Sequence, residues 1–354
     1  MRRLGWLRAA AAAFVVSALA ACSVQPEPLQ QESFVFGTRV ALTVYDADRG
    51  KAQAAMAQVL GDLDQLHQRL HAWQPAGEVY AANQAIAAGE PFRASAELAE
   101  LITLGQQLEQ QSDGLFSPAI GAMVAAWGFH AEQYTARLPA AQVVSDLAAA
   151  QPRMADLLRQ PDGRWLSRNP AVQLDFGGMA KGWALDRSRA RLLKAGISSA
   201  LLNIGGNIIA LGSKPGGEPW QVGVRHPRQA DAMATLALAD GEAVGTSGDY
   251  QRFFVLNGRR YCHLIDPRNA QSRCHVQSVS VLSRPGPHAG LLSDVASKPL
   301  YFAGQAAAAG YARRFGLAGW LLIDSRGEAW LPPALDKRLQ WPLRPTRLHL
   351  TGTP

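Results

Sequence analysis

Apolar and polar positions divide the chain into a helix-bearing first half and a strand-rich second half. FVFGTRVALTVYD (34–46) alternates every second residue, as a half-buried strand does. Met56, Leu60, Leu63, Leu66 and Leu70 then recur at helical spacing, and SAELAELITLGQQLEQQSDG predicts a second helix with a serine cap and a terminal glycine. LFSPAIGAMVAAWGF is apolar and rich in small residues, which predicts closely packed, buried backbone. VQLDF, SALLNIGG, PWQVGVRHP, RFFVLNGRRYCHLID, VQSVSVL and GWLLIDSRGEAWL are strand-like, with turns at Asn257-Gly258 and Arg326-Gly327. A turn that joins two runs directly requires antiparallel pairing, so a purely parallel doubly wound sheet is excluded. With no long Pro/Gly linker and no repeat, the pattern predicts a single α+β domain over 34–345 that contains mixed, largely antiparallel sheet with packed helices.

Composition narrows the compartment and the partners. At 354 residues, 48% hydrophobic and 18% charged, the chain buries a full core. Its net charge of +7 comes without a basic block interleaved with aromatics, so no nucleic-acid partner is expected. Residues 1–21 read as an export signal: Arg2 and Arg3, an apolar run too short to span a bilayer comfortably, then LAAC. In that reading Cys22 becomes the lipidated first residue and 22–33 is a polar leash, the alternative being an ordinary secretory signal. Cys262 and Cys274 flank HLIDPRNAQSR, whose centre is turn chemistry, so they face each other across a hairpin either as a disulfide or as two thiols. No CxxC or HExxH appears, and the eight histidines suggest no zinc site.

The chemistry concentrates in LDFGGMAKGWALD (174–186). An apolar run ends in Asp175, Gly177 and Gly178 expose main chain, and Lys181 falls in the first turn of a predicted helix from about Met179. Bare backbone, a helix N-terminus and an ammonium suit a phosphate or diphosphate, and Asp175 suits a ribose or base. Gly182 after the lysine breaks the Walker A pattern, and Met179 breaks the dinucleotide fingerprint, so a tight turn with a surface lysine stands as the alternative. LLNIGGNI holds a second glycine pair. Thr246, Ser247 and Gly248 read as a hydroxyl-rich turn, and His263 sits beside a turn aspartate. None of these alone names a reaction.

The order of FGTRVALTVYD, SDGLFSPAIGAMVAAWGF, LDFGGMAKGWALDR, LLNIGGNI, TSGDYQRFF, YCHLIDPR and SVSVLSRPGPHAGLLSDVASKPLYFAG resembles the ApbE family, FAD:protein FMN transferases, over nearly the whole mature chain. The resemblance implies transfer of FMN from FAD to a Thr or Ser hydroxyl with release of AMP. It implies that Trp73 covers the flavin ring, that Asp175, Lys181, Thr246, Ser247 and Leu264 hold FAD, and that His263 is a general base near neutral pH. It also implies Mg²⁺ on the diphosphate, bound by the Gly178 carbonyl and Asp294. There the chain departs from the family pattern, in which a threonine follows the aspartate after three residues: here the position is Lys298. A protonated ammonium has no lone pair for a metal. Three outcomes follow: Ser297 replaces the threonine as ligand, Lys298 supplies the charge and weakens or replaces the ion, or Lys298 points to solvent. His71-Ala72-Trp73, Ser117 and Ala119 also depart from the commoner family residues.

The expected protein is therefore a lipid-anchored, periplasm-facing flavin transferase, on the cytoplasmic membrane in preference to the outer membrane. Its expected acceptor is an exported or membrane-bound redox flavoprotein. The rival readings are an FAD-holding lipoprotein that stores or delivers flavin, and a pyrophosphatase giving FMN and AMP.

Overall fold

The computed structural model describes residues 27–131, 133 and 135–352. The expected export signal and Cys22 lie outside the described residues. From the N-terminal side come β1 (Leu29–Val35), β2 (Thr38–Val44), α1 (Arg49–Leu70), α2 (Glu78–Ala88), α3 (Ala96–Gln111), α4 (Gly121–Ala126) and α5 (Ala141–Ala150). Next are β3 (Leu157–Arg159), β4 (Trp165–Ser167), α6 (Ala180–Lys194), β5 (Ala200–Ile204), β6 (Asn207–Leu211), β7 (Trp220–Arg225), β8 (Ala232–Leu238) and β9 (Ala243–Gly248). The chain continues through β10 (Phe253–Leu256), β11 (Arg259–Cys262), β12 (Ile265–Asp266), β13 (Gln271–Ser272), β14 (Val276–Ser283), α7 (Ala289–Ala303) and α8 (Ala308–Arg314). It closes with β15 (Gly319–Asp324), β16 (Ala329–Leu331), α9 (Pro333–Asp336), β17 (Leu339–Gln340) and β18 (Leu348–Leu350).

A nine-stranded sheet in the order β1-β2-β5-β6-β9-β14-β15-β16-β18 forms the centre. Its pairs are antiparallel except β16 with β18, so the α+β, mixed and largely antiparallel expectation holds. The alternation of each strand sends side chains to two different cores. One face, with Leu202, Ile209, Val279, Val281 and Leu322, packs under α1, α6 and α7. The other, with Ala210, Val244, Leu282, Leu321 and Ile323, is covered by the small sheet β17-β8-β7. Central β14 is buried along its whole length, which is why VQSVSVL carries small hydroxyls rather than charges. A third cluster, with Met123, Trp127, Phe129, Phe254 and Ile265, packs α4 and α5 against the hairpin β10–β11.

Local rules explain the elements that the pattern foretold. Asp48 caps α1 by accepting the Lys51 N–H at 2.9 Å, and Ser95 caps α3 by accepting the Leu98 N–H at 3.2 Å. Asn257 and Gly258 adopt positive φ in the β10–β11 turn, as does the Gly205-Gly206 pair between β5 and β6, so that glycine pair is hairpin chemistry. Cys262 and Cys274 form a disulfide with Cα atoms 6.0 Å apart, a spacing such a bond accommodates.

Four expectations need correction. The run 34–46 is not one strand, because Phe36 and Gly37 both take positive φ and fold β1 back on β2. The polar leash is shorter than 22–33: Leu29 onward pairs with β2, and Gln30, Glu32 and Phe34 form the solvent side of an edge strand. Beyond 345 the chain still contributes β18. Thr246-Ser247-Gly248 is not a turn but part of β9, held between β6 and β14.

Candidate active site

VQLDF is extended but is not a ladder strand; its backbone is satisfied by other means. The Asn83 side chain accepts the Leu174 N–H at 2.7 Å and donates to the Leu174 carbonyl at 2.9 Å, imitating a strand neighbour. The Asp175 N–H donates to the Pro118 carbonyl, and Gln173 makes an isolated bridge to Ile120. Asp175 then turns the chain: its Oδ1 accepts the Gly177 N–H at 2.8 Å, and α6 starts at Ala180. The Met179 and Ala180 amides donate to the Phe176 carbonyl, and the Gly182 amide to Asp294. Three of the amides at the expected bare helix N-terminus, those of Met179, Ala180 and Gly182, are thus already engaged within the protein, and the full positive charges of the corner reside in side chains.

What brings those side chains together is a close crossing of α6 and α7. A Cβ on Gly182 would lie 2.4 Å from the Gly290 carbonyl oxygen, and one on Gly290 would lie 2.5 Å from that of Gly182. Only two bare residues allow backbones this near. Asp186 fastens the crossing by accepting the Gly290 and Leu291 N–H groups at 2.7 and 2.8 Å, at the start of α7. Asp294, one turn further along α7, is buried and accepts the Gly182 N–H at 3.1 Å. Lys298 donates to the Asp294 carboxylate at 2.5 Å and to its carbonyl at 2.7 Å. Lys181 stands 3.8 Å from the other carboxylate oxygen and donates to the Gly177 carbonyl at 3.1 Å. Burial pushes the Asp294 carboxyl up, but Lys181 and Lys298 together outweigh it and hold it below the ordinary carboxylate range. Lys298 does not point to solvent: its side chain is 13% exposed, and its Cε lies where a Cβ on Gly178 would touch at 3.4 Å.

His263 follows the disulfide-bonded Cys262 and is tied by its own N–H to the Arg252 carbonyl at 3.0 Å. Its Nδ1 faces the same oxygen at 3.2 Å. A carbonyl only accepts, so Nδ1 carries the proton and Nε2 keeps the lone pair. Burial first, then Arg252, Lys181 and Lys298, push the imidazole down to about 3. It is therefore neutral at neutral pH, with lower basicity than the expected near-neutral base. Arg252 reaches back to the Ala131 carbonyl at 2.8 Å, while neighbouring His130 meets Trp73 at a ring separation of 4.9 Å. Trp73 is thus linked to His263 through the segment 128–131, whose Phe129 also faces the His263 ring.

The remaining expected residues divide. Ser247 faces α7, where its Oγ hydrogen-bonds Ser297 Oγ at 2.7 Å. Thr246 is on the opposite face of β9, bonded to Ser280 Oγ at 2.8 Å, and the strand's alternation forbids both from facing the lysines. Leu264 is a core side chain whose carbonyl accepts the Arg273 N–H. Sequence reasoning passed over Arg252, Asp186, Asn83 and the Gly182–Gly290 crossing; only the glycine and aspartate of KGWALD offered a signal. It also passed over the i,i+4 pair His67 and His71, whose rings lie 5.4 Å apart.

Mg²⁺ does not fit this arrangement. One Asp294 oxygen is taken by an amide and the other by an ammonium, while Ser297 Oγ donates to the Asp294 carbonyl at 2.7 Å and is shared with Ser247. Hard cations need several oxygen lone pairs in one place. Among the described residues no group of three or more His, Cys, Asp or Glu side chains gathers as a metal set.

Residues 36–321 match the ApbE family. The chain is 41% identical over 317 residues to an FAD:protein FMN transferase of Rhodobacter capsulatus, covering 89% of this chain and 59% of that protein. It is 28% identical over 306 residues to one of Klebsiella pneumoniae (strain 342), covering 84% and 85%. The fold resembles the crystal structure of the ApbE protein of Thermotoga maritima, with a TM-score of 0.80, 25% identity and coverage of 88% and 99%. It also resembles the Pseudomonas stutzeri flavinyl transferase ApbE, with a TM-score of 0.76, 28% identity and coverage of 89% and 98%.

Proposed function

The chain belongs to the ApbE family, and from that premise we propose that it transfers FMN from FAD to a Thr or Ser hydroxyl of an acceptor protein, releasing AMP. The observation that carries this reading is the corner itself. Two ammonium groups on one buried carboxylate, beside the Gly177–Gly178 backbone, act at close enough range to lower the basicity of a neutral imidazole with an available lone pair. Such a cationic corner suits a diphosphate, and the imidazole suits a hydroxyl that must lose its proton.

In this reading the diphosphate of FAD lies against Lys181 and Lys298, and Trp73 offers a ring face to the flavin. The acceptor oxygen attacks the phosphorus on the FMN side. A new P–O bond forms as the P–O bond to the AMP phosphate breaks; the bonding pair leaves with AMP, and the hydroxyl proton passes to His263 Nε2. The metal-assisted form of the reaction that the family resemblance implies has Mg²⁺ share the charge. The reading further makes Cys22 a lipidated first residue, the domain periplasm-facing at the cytoplasmic membrane, and the acceptor an exported or membrane-bound redox protein.

The test incubates purified chain, FAD and a candidate acceptor, and reads in-gel flavin fluorescence together with AMP release. Fluorescence should appear on the acceptor in step with AMP and disappear when the acceptor hydroxyl residue becomes alanine. AMP and free FMN without protein-bound flavin would favour the pyrophosphatase reading, and bound but intact FAD the storage reading.

A further inference from the structure

We propose that Lys298 is a built-in cation for the flavin nucleotide, standing where a divalent ion would otherwise sit, so that FAD binding needs no metal. The inference rests on reading the corner as a diphosphate site. Asp294 is buried at the foot of this corner, and a buried carboxylate stays ionised only beside a counter-charge. Lys298 supplies it from one turn away on α7, with two of its three N–H donors engaged on Asp294. The third has no partner among the described residues. The Lys298 stem passes beside Gly178, its Cε 3.4 Å from where a Cβ would stand, and the side chain is only 13% exposed, so the ammonium lies at the glycine pair rather than in solvent.

Lys181 repeats the pattern from α6, with one contact to the Gly177 carbonyl and a longer one to Asp294. Two ammonium groups on one carboxylate leave a net positive charge and spare donors facing the backbone of Gly177 and Gly178. A diphosphate oxygen fits that vacancy in charge, and charge-assisted N–H···O bonds are the strong kind. A divalent ion at Asp294 would have to displace an ammonium held at 2.5 Å and would find in Ser297 a hydroxyl already engaged on both sides.

The experiment measures FAD affinity of the purified full chain by flavin fluorescence, once in chelator and once in millimolar Mg²⁺, for wild type, Lys298→Met and Lys298→Thr. Wild type should bind equally in both. Lys298→Met should lose about tenfold or more in both, having lost a charged donor. Lys298→Thr should lose affinity in chelator and regain it with Mg²⁺, because a freed carboxylate and a hydroxyl one turn apart form an oxygen site. A wild-type affinity that rises about tenfold on adding Mg²⁺ would overturn the proposal. So would unchanged binding by Lys298→Met in chelator. The wild-type comparison needs no variant to fold. If wild type ignores FAD in every arm, the flavin-nucleotide reading of the corner fails first, an outcome distinct from metal-dependent binding.

Discussion

At the scale of single residues, His263 is where burial and charge work in opposition to the expected chemistry. Its imidazole is half-buried among Arg252, Lys181 and Lys298, and protonation there costs far more than in water. The native state therefore binds fewer protons than the unfolded chain between the ordinary value of 6.5 and about 3. Stability is fully present above 6.5 and erodes as pH falls through that window, by at most about 1.4 kcal/mol per pH unit. Denaturant titrations of wild type and His263→Ala at neutral and mildly acidic pH should converge on acidification. Parallel pH dependences would refute the assignment. The same substitution should lower transfer by roughly 10²–10⁴-fold, while FAD affinity stays the same because loss of a neutral ring leaves the charge of the pocket unchanged. The residue type was legible from YCHLIDP. Its depressed basicity was not, because burial, its largest cause, and the charges of Lys181 and Lys298 arise only when segments distant in sequence pack around the ring.

At the scale of elements, the site depends on the contact between α6 and α7. Helices usually pack with axes 8–10 Å apart because side chains intervene. Here Gly182 and Gly290 remove them, and the Gly182 amide reaches Asp294 directly. Gly182→Ala would place a Cβ 2.4 Å from backbone that cannot move aside. It should destabilise the protein by about 1–3 kcal/mol and weaken FAD binding by separating Lys181 from Asp294. Gly61→Ala in α1, where a Cβ meets nothing within 4 Å, is the control and should stabilise by up to about 1 kcal/mol. Thermal midpoints of the two variants should move in opposite directions; equal shifts would dispose of the close-packing account. The helical spacing of α1 and the serine cap of α3 were readable because such signals are local. Helix α7 was not, since it contains Pro299 and is buried on nearly every side, which erases the amphipathic stripe.

At the scale of the whole molecule, the large sheet separates two cores, and the corner lies on its helical side while the small β17-β8-β7 sheet closes the other. This division explains why Thr246 and Ser247, adjacent in sequence, do not face the same site. It also bears on the anchor, because β1 begins at Leu29 and only a few residues separate the ordered sheet from Cys22. Under the proposed lipidation, a tether that short keeps the domain within roughly 25 Å of the bilayer surface, the reach of a fully extended segment. Cys22→Ser should move the protein from the membrane to the soluble fraction on cell fractionation without altering FAD affinity of the purified chain. Retention in the membrane fraction would remove the lipid anchor from the proposal.

The chain on its own determined the class of fold, the antiparallel hairpin at Asn257-Gly258, the facing cysteines, and the candidate corner with Asp175, Gly177, Gly178 and Lys181, because each is written in short-range periodicity, turn chemistry or residue type. Tertiary structure alone decided that the Gly182 amide is taken by Asp294, that Lys298 turns inward onto Asp294, and that His263 is buried under the influence of three cations. Those outcomes depend on which residues distant in sequence become neighbours, and on the fields and steric room that neighbours create. Periodicity along a chain carries no term for either.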